Sequence, residues 1–267
     1  MSTKASSYTA LSFEKNGAVA RITLNRPDAA NGLNMDMGRD LMNVALHCEQ
    51  DETIRAVIIT GTGNFFCAGG DLKAFAAYGA DIGVHIPGLI NYLHTAMSCF
   101  ARLNAPVIVA VNGIAAGAGF SIAMVGDFVL AADNATFTMA YTAAGLSPDG
   151  SASYFLPRLV GLRRAQELMM SNRRLSAVEA QEWGLVTHVY SAEKLQAEAD
   201  TLAAELACGA TKALSAVKQL LLASFDNSLD GQLALEGRNI AQCAVSRDGQ
   251  EGIQAFLAKR KPAFEGK

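Results

Sequence analysis

Phe66-Cys67-Ala68-Gly69-Gly70-Asp71-Leu72 and Asn112-Gly113-Ile114-Ala115-Ala116-Gly117-Ala118-Gly119 are the two stretches whose reading decides the fold. Each follows a short apolar, β-branched run, Arg55 to Thr60 in the first case and Pro106 to Val111 in the second. Each leads into a segment with helical character, beginning near Asp71 and running through Val125 respectively. Small residues at such turns let a ligand approach the main chain closely. The first N–H groups of a helix lack an internal partner, and negative charge is favoured there. Two turns of this kind, if brought together, offer two donors to one oxygen atom. Glycines at strand ends also serve as plain turn formers, so the pattern by itself fixes geometry before it fixes chemistry.

Outward from these turns the chain alternates strand, turn and helix. Tyr8 to Lys15 and Ala18 to Leu24 flank Asn16-Gly17 and read as a hairpin, ended by Arg26-Pro27-Asp28. Met35 to Gln50 has helical spacing, with Asn34 or Asp36 as the cap. Gly61 to Gly70 and Gly113 to Gly119 read as loops, Ile90 to Leu103 as a helix, and Phe128 to Ala132 and Thr136 to Met139 as strands. This alternation indicates an α/β fold. After about Ser191 the apolar residues recur only at helical spacing, among them Leu195, Leu202, Leu206, Leu214, Val217, Leu221 and Ile240. We therefore divide the chain into an α/β core over residues 1–195 and a helical segment over 196–267.

Composition narrows the function. Hydrophobic residues make up 51% and charged residues 18% of 267 residues, which fits a globular chain with a large core. A net charge of −3 gives no basic surplus for nucleic acid or an anionic membrane surface. Cys48, Cys67, Cys99, Cys208 and Cys243 are scattered and odd in number, with no CxxC pair, which fits a reducing compartment and neither a disulfide framework nor a structural metal site. Met1 to Leu11 is polar, and the apolar runs are interrupted by Asn112 and by glycines well short of a membrane span, so the expectation is a cytoplasmic protein.

Other motifs fail on their surroundings. Gly61-Thr62-Gly63 is followed by Phe66 where a dinucleotide fingerprint needs a small residue. Neither a phosphate-binding GxxxxGK[ST] nor a GxSxG nucleophile elbow occurs. Tyr190 and Lys194 match a YxxxK spacing without the glycine fingerprint that would give it meaning.

At the two glycine turns the sequence strongly resembles the crotonase, or enoyl-CoA hydratase/isomerase, family. The resemblance extends over nearly the whole chain, through Asn25-Arg26-Pro27, Ala110-Val111-Asn112-Gly113, Leu156-Pro157-Arg158, Ala180 to Val186 and Phe256 to Lys261. It implies a spiral of ββα units with C-terminal helices, assembled as a homotrimer or a dimer of trimers. It implies an acyl-coenzyme A thioester as substrate carrier, with no separate cofactor and no metal. The family's two oxyanion donors fall on the amides of Gly70 and Ala118; the second is usually glycine, and an alanine keeps the N–H while narrowing the backbone geometry. Coenzyme A handling falls on Ala68, Gly69, Asp71 and Leu72, and on Phe256 and Lys259 reaching a neighbouring subunit. By charge pattern alone, Lys259-Arg260-Lys261 reads as a solvated tail.

The same alignment favours one reaction of the family, a double-bond isomerisation, over hydration, hydrolytic dehalogenation and CoA-ester binding without chemistry. The two glutamates of the hydratases fall on Ser121 and Tyr141, neither of which is a carboxylate. Asp149, in Leu146-Ser147-Pro148-Asp149-Gly150-Ser151, is a turn residue or helix cap by local chemistry. It also matches the catalytic aspartate of two branches of the family, the enoyl-CoA isomerases and the 4-chlorobenzoyl-CoA dehalogenases. His94 matches a histidine of the latter, whose tryptophan is replaced by Tyr141. The closer likeness is to the isomerases, including those that rearrange ring-epoxide CoA esters. The catalytic set expected is Asp149, Gly70, Ala118 and His94, with Ser121 and Tyr141 lining the acyl pocket.

Overall fold

A computed structural model describes residues 8–267; residues 1–7 of the polar N-terminal stretch lie outside the described residues. The chain opens with the antiparallel hairpin β1 (Leu11–Asn16) and β2 (Val19–Leu24), in which Asn16 pairs with Val19 across the turn. After α1 (Met35–Gln50), capped by the Asn34 side chain on the Met37 N–H, the chain settles into a repeat. Each repeat has one strand in a large sheet, one short strand in a small sheet, and a helix. The first holds β3 (Ala56–Gly61), β4 (Phe65–Cys67), and helices α2 (Leu72–Ala76) and α3 (Ile82–Arg102). The second holds β5 (Val107–Val111), β6 (Ile114–Ala116) and α4 (Ala118–Met124). The third holds β7 (Phe128–Ala132), β8 (Thr136–Thr138), and helices α5 (Ala152–Val160) and α6 (Leu162–Ser171). Then follow β9 (Leu175–Ser176), α7 (Ala177–Glu182) and β10 (His188–Tyr190).

The large sheet has the order β1-β2-β3-β5-β7-β10, parallel from β2 onward, and the small one β4-β6-β8-β9. The spiral of ββα units is thus present. Residues 56–60 of β3 and all of β5 are buried, which is why both read as unbroken apolar runs rather than alternating ones. On the sheet lies α8 (Leu195–Ala207), which buries Leu195, Ala199, Ala203 and Ala207 against it. Alanine at every fourth position lets this helix approach the strands closely. The chain ends in α9 (Thr211–Ala223), α10 (Leu229–Val245) and α11 (Arg247–Leu257), where large apolar side chains become exposed. No described helix is long and apolar enough to cross a membrane.

Several elements differ from the sequence expectation. The two loops at 61–70 and 113–119 each contain a three-residue strand, β4 and β6, too short to show periodicity. Helix α3 begins at Ile82 rather than Ile90 and runs through Pro87, because the Gly83, Pro87 and Gly88 that signal a break all fall in its first turns.

Burial of Cys48, Cys67 and Cys99 pushes their thiols up, to about 12 for the first and about 11 for the other two. Cys208 is exposed. Thiolate is the reactive form, so Ellman titration of native protein near pH 8 is expected to label Cys208 quickly and to spare Cys48, Cys67 and Cys99 until the protein is unfolded. Fast labelling of any of those three would contradict the packing described.

Candidate active site

Arg26 and Asn31 prepare the first glycine turn. Asn31 is fully buried with φ at 53°, and its Nδ2 donates to the carbonyls of Thr62 (2.9 Å) and Phe65 (2.8 Å). The Arg26 guanidinium donates to the Gly32 carbonyl and to Asp71 Oδ2, the latter at 2.9 Å. The segment so held runs alongside the turn. Ala68 N–H donates to Ala30 (3.0 Å), Leu33 N–H to Gly69 (2.7 Å), and Asp71 N–H to Leu33 (2.9 Å). The amide of Gly70, between these clamped peptides, makes no hydrogen bond to any described residue. Gly69 takes φ at 99°, a value that L side chains avoid, and this aims the next peptide away from the clamp.

The second turn repeats the device. Gly117 has φ at 50° and donates its N–H to Thr138 (3.0 Å). Ala118 then opens α4, and its N–H is likewise unpaired among the described residues. Its methyl group is buried and the helical backbone accommodates it, so the alanine is compatible with the donor role. The parallel pairing of β4 with β6 sets the two turns side by side. They are in close contact: a Cβ placed on Gly119 would lie 2.1 Å from the Cys67 carbonyl oxygen.

Both free amides border one cavity of about 480 Å³. One wall is apolar, formed by Leu72 and Phe75 from α2 and by Ile82, Ile86, Leu89 and Ile90 from α3. The lining also includes Tyr141, Ala144, Leu146 and Asp149. Asp149 does not cap α5 with its side chain; its carbonyl accepts the Ala152 N–H at 3.1 Å, and Ser151 occupies the cap position while its hydroxyl donates to the Gly150 carbonyl instead of accepting a helix N–H. The carboxylate instead accepts the Tyr141 hydroxyl at Oδ1, at 2.7 Å. Burial, followed by the charge and the hydrogen bond of Asp149, pushes the Tyr141 phenol above its ordinary range.

The remaining expected residues take distinct places. Ala68, Gly69 and Leu72 line the cavity. Asp71 does not; it caps α2 on the Ala74 N–H (3.1 Å) and pairs with Arg26. Its burial opposes ionisation, but the Ala74 and Arg26 hydrogen bonds and the Arg26 charge together hold its carboxyl below the usual range. Ser121 is fully buried behind the wall, with Oγ 3.0 Å from both the Tyr141 hydroxyl and the Asp149 carbonyl. His94 is exposed on α3 and is not a lining residue; its Nε2 accepts the Gly150 N–H at 3.2 Å. Phe256, next to the last residue of α11, is exposed, Lys259 lies just beyond the helix, and neither lines this cavity. Among the described residues no cluster of three or more His, Cys, Asp or Glu side chains is assembled. The clamp at Arg26 and Asn31 was not legible as such, since Arg26-Pro27 reads as the end of a hairpin.

The enoyl-CoA hydratase/isomerase family model matches residues 14–267. The chain belongs to that family. It is 41% identical over 253 residues to the 1,2-epoxyphenylacetyl-CoA isomerase of Escherichia coli, covering 93% of this chain and 95% of that protein. It is 36% identical over 265 residues to the carnitinyl-CoA dehydratase of Citrobacter koseri, covering 96% and 98%. Its backbone superposes on the crystal structure of an enoyl-CoA hydratase from Polaromonas with a TM-score of 0.92 at 37% identity, covering 96% of this chain and all of that one. This crotonase-family member therefore shares its fold with isomerases, hydratases and dehydratases alike.

Arg26→Met removes the cation that clamps the first turn to Asp71. The expected loss of stability is about 1.5–3 kcal/mol at neutral pH, the range for a hydrogen bond to a charged group. A depressed carboxyl contributes stability above its unfolded value, about 3.9, and loses it as the pH falls through the folded value. The gap between the variant and the parent should therefore narrow as urea melts are taken from pH 7 into the acid range. A gap that stays constant with pH would contradict the clamp.

Proposed function

We propose that this enzyme isomerises the double bond of an enoyl-CoA, with Asp149 as the acid and base. The observation that carries the reading is that Asp149 and Tyr141 are the only ionisable side chains among the described residues lining the cavity, 2.7 Å apart. A hydratase needs two carboxylates to place and activate water; their positions hold Ser121 and Tyr141 here. A double-bond shift needs one group that takes a proton from one carbon and returns it to another. The thioester oxygen takes up negative charge meanwhile and is held by the free amides of Gly70 and Ala118. Such donors each contribute on the order of 10²–10³ in rate when the charge develops only in the transition state.

The substrate is read as an acyl-CoA ester whose thioester lies against Ala68 to Leu72 and whose acyl group is ring-bearing or of medium length. The apolar side chains of Phe75, Ile86 and Leu89 favour such a group, and the likeness to the epoxyphenylacetyl-CoA isomerase supports a ring. No cofactor beyond the coenzyme A carrier is required by this chemistry. The reading of Asp149 as a nucleophile, with His94 activating water, is less well supported, because His94 Nε2 is occupied by Gly150 and the ring does not line the cavity. Exposed Leu221, Leu229, Ile240 and Phe256 on the C-terminal helices, and Phe225 in the turn between α9 and α10, support assembly as a trimer or a dimer of trimers, with Phe256 and Lys259 offered to a neighbour's nucleotide. A cytoplasmic location fits the scattered free thiols.

Purified protein given a 3-enoyl-CoA is expected to form the conjugated 2-enoyl-CoA, read by ultraviolet absorbance and mass. Asp149→Asn should lower turnover on the order of 10²–10⁴-fold, the usual share of a general acid–base group, with ester binding retained. Normal turnover by that variant, or a main product heavier than the substrate by one water, would rule the isomerase reading out.

A further inference from the structure

A carboxylate has two equivalent oxygens, and a group that moves a proton between two carbons does so without reorienting when one oxygen stays within reach of both. We infer that Tyr141 and Ser121 are an orienting pair that commits Oδ1 of Asp149 to the protein and leaves Oδ2 as the one oxygen that exchanges a proton with the substrate. The inference rests on the acid–base reading of Asp149 and adds how that carboxylate is aimed.

The hydrogen bonds assign the two oxygens different duties. Tyr141 reaches Oδ1 at 2.7 Å, and Oδ2 has no hydrogen-bond partner among the described residues. Tyr141 is a reliable donor, because burial and the adjacent carboxylate keep its phenol protonated throughout the working range. Ser121 controls the other end of the same residue. It is fully buried, and its one proton faces three acceptors, the Asp149 carbonyl and the Tyr141 oxygen at 3.0 Å and the Gly117 carbonyl at 3.4 Å. The carbonyl can only accept, so Ser121 gives its proton to the Asp149 main chain, Tyr141 gives its own to Oδ1, and the Ser121 oxygen packs against the phenol oxygen and fixes where it stands. The fit is close: at Gly150, where φ is 59°, an added Cβ would stand 3.0 Å from the Ser121 Cβ. Side chain and main chain of Asp149 are thus each fixed by one hydroxyl, and the two hydroxyls touch.

The proton balance is simple. The C2–H bond breaks and its electron pair enters a dienolate whose charge rests on the thioester oxygen, while the proton bonds to Oδ2. The new O–H bond then breaks, and the dienolate pair forms C4–H with the same proton. Nothing is oxidised or reduced, and Oδ1 keeps its bond to Tyr141 throughout. Tyr141 and Ser121 act through Asp149 and are positioning residues.

The test compares Tyr141→Phe and Ser121→Ala with Asp149→Asn on a 3-enoyl-CoA. It is joined to infrared difference spectra of protein carrying ¹³C-carboxyl aspartate, in which the band lost in Asp149→Asn identifies the Asp149 carboxyl. Removing a hydrogen bond that favours the charged carboxylate makes it easier to protonate. Tyr141→Phe is expected to lower kcat about 10- to 100-fold, the loss expected for one charge-assisted hydrogen bond, with KM within about twofold. The acid limb of its pH profile and the midpoint of the Asp149 band should both move upward by about one pH unit. Ser121→Ala should move both in the same direction by less. A Tyr141→Phe enzyme with unchanged kcat and an unmoved band overturns the inference, and so does one that loses affinity while the band stays in place, since that is the mark of packing alone. Should Asp149→Asn keep its turnover, the acid–base reading falls, while the infrared titration still decides whether the two hydroxyls govern that carboxylate.

Discussion

Three main-chain hydrogen bonds between residues 30–33 and 68–71 are the constraint on which this site depends. They occupy the peptide groups on both sides of Gly70 and leave its own amide over. Buried peptide groups are almost always paired, so an amide left free at the edge of a cavity is costly unless a ligand or water completes it. The clamp holds the Gly70 amide toward the cavity by occupying the peptide groups on either side of it. Arg26 and Asn31 stand behind it, one tying the loop to Asp71 and the other to the carbonyls of Thr62 and Phe65. The second amide, at Ala118, depends on the first turn for its place, because Gly119 packs onto the Cys67 carbonyl with no room for a side chain.

The spiral architecture follows from the same need. Each repeat sends a buried strand through the large sheet, steps through a short strand of the small sheet, and turns into a helix. Because β4 and β6 are neighbours in the small sheet, the turns that follow them are neighbours also. Equivalent turns in register set the free amides of Gly70 and Ala118 at one cavity, and the backbone that does so is common to the family. Relatives named as isomerase, dehydratase and hydratase are therefore expected on one backbone.

Much of this was legible in the sequence, and the remainder was hidden for identifiable reasons. The buried strands at Ala56 and Val107 announce themselves as apolar β-branched runs, and α1 runs from Met35 to Gln50 as its spacing requires. Gly70, Ala118, Asp149 and Tyr141 do meet at one cavity. The strands β4 and β6 stayed hidden because three residues cannot display a period, and the early start of α3 because Pro87 and the glycines beside it outweigh its isoleucines. Asp71 sits in the motif yet serves as a cap, and His94 meets a main-chain N–H outside the pocket lining. Both are distinctions of a few ångströms that side-chain identity does not carry. The Ser121–Tyr141–Asp149 contacts span three separate segments and emerge only once the chain has folded.

The most direct measurement is the vibrational frequency of the thioester carbonyl. A non-reacting saturated acyl-CoA labelled with ¹³C at the carbonyl would be bound to the enzyme and its C=O stretch compared with that in water by isotope-edited Raman or infrared spectroscopy. Two unpaired amides, at Gly70 and Ala118, sharing one oxygen predict a clear shift to lower wavenumber, as the bond is polarised toward C–O⁻. A bound ester whose carbonyl stretches at its solution frequency, or higher, would contradict the account.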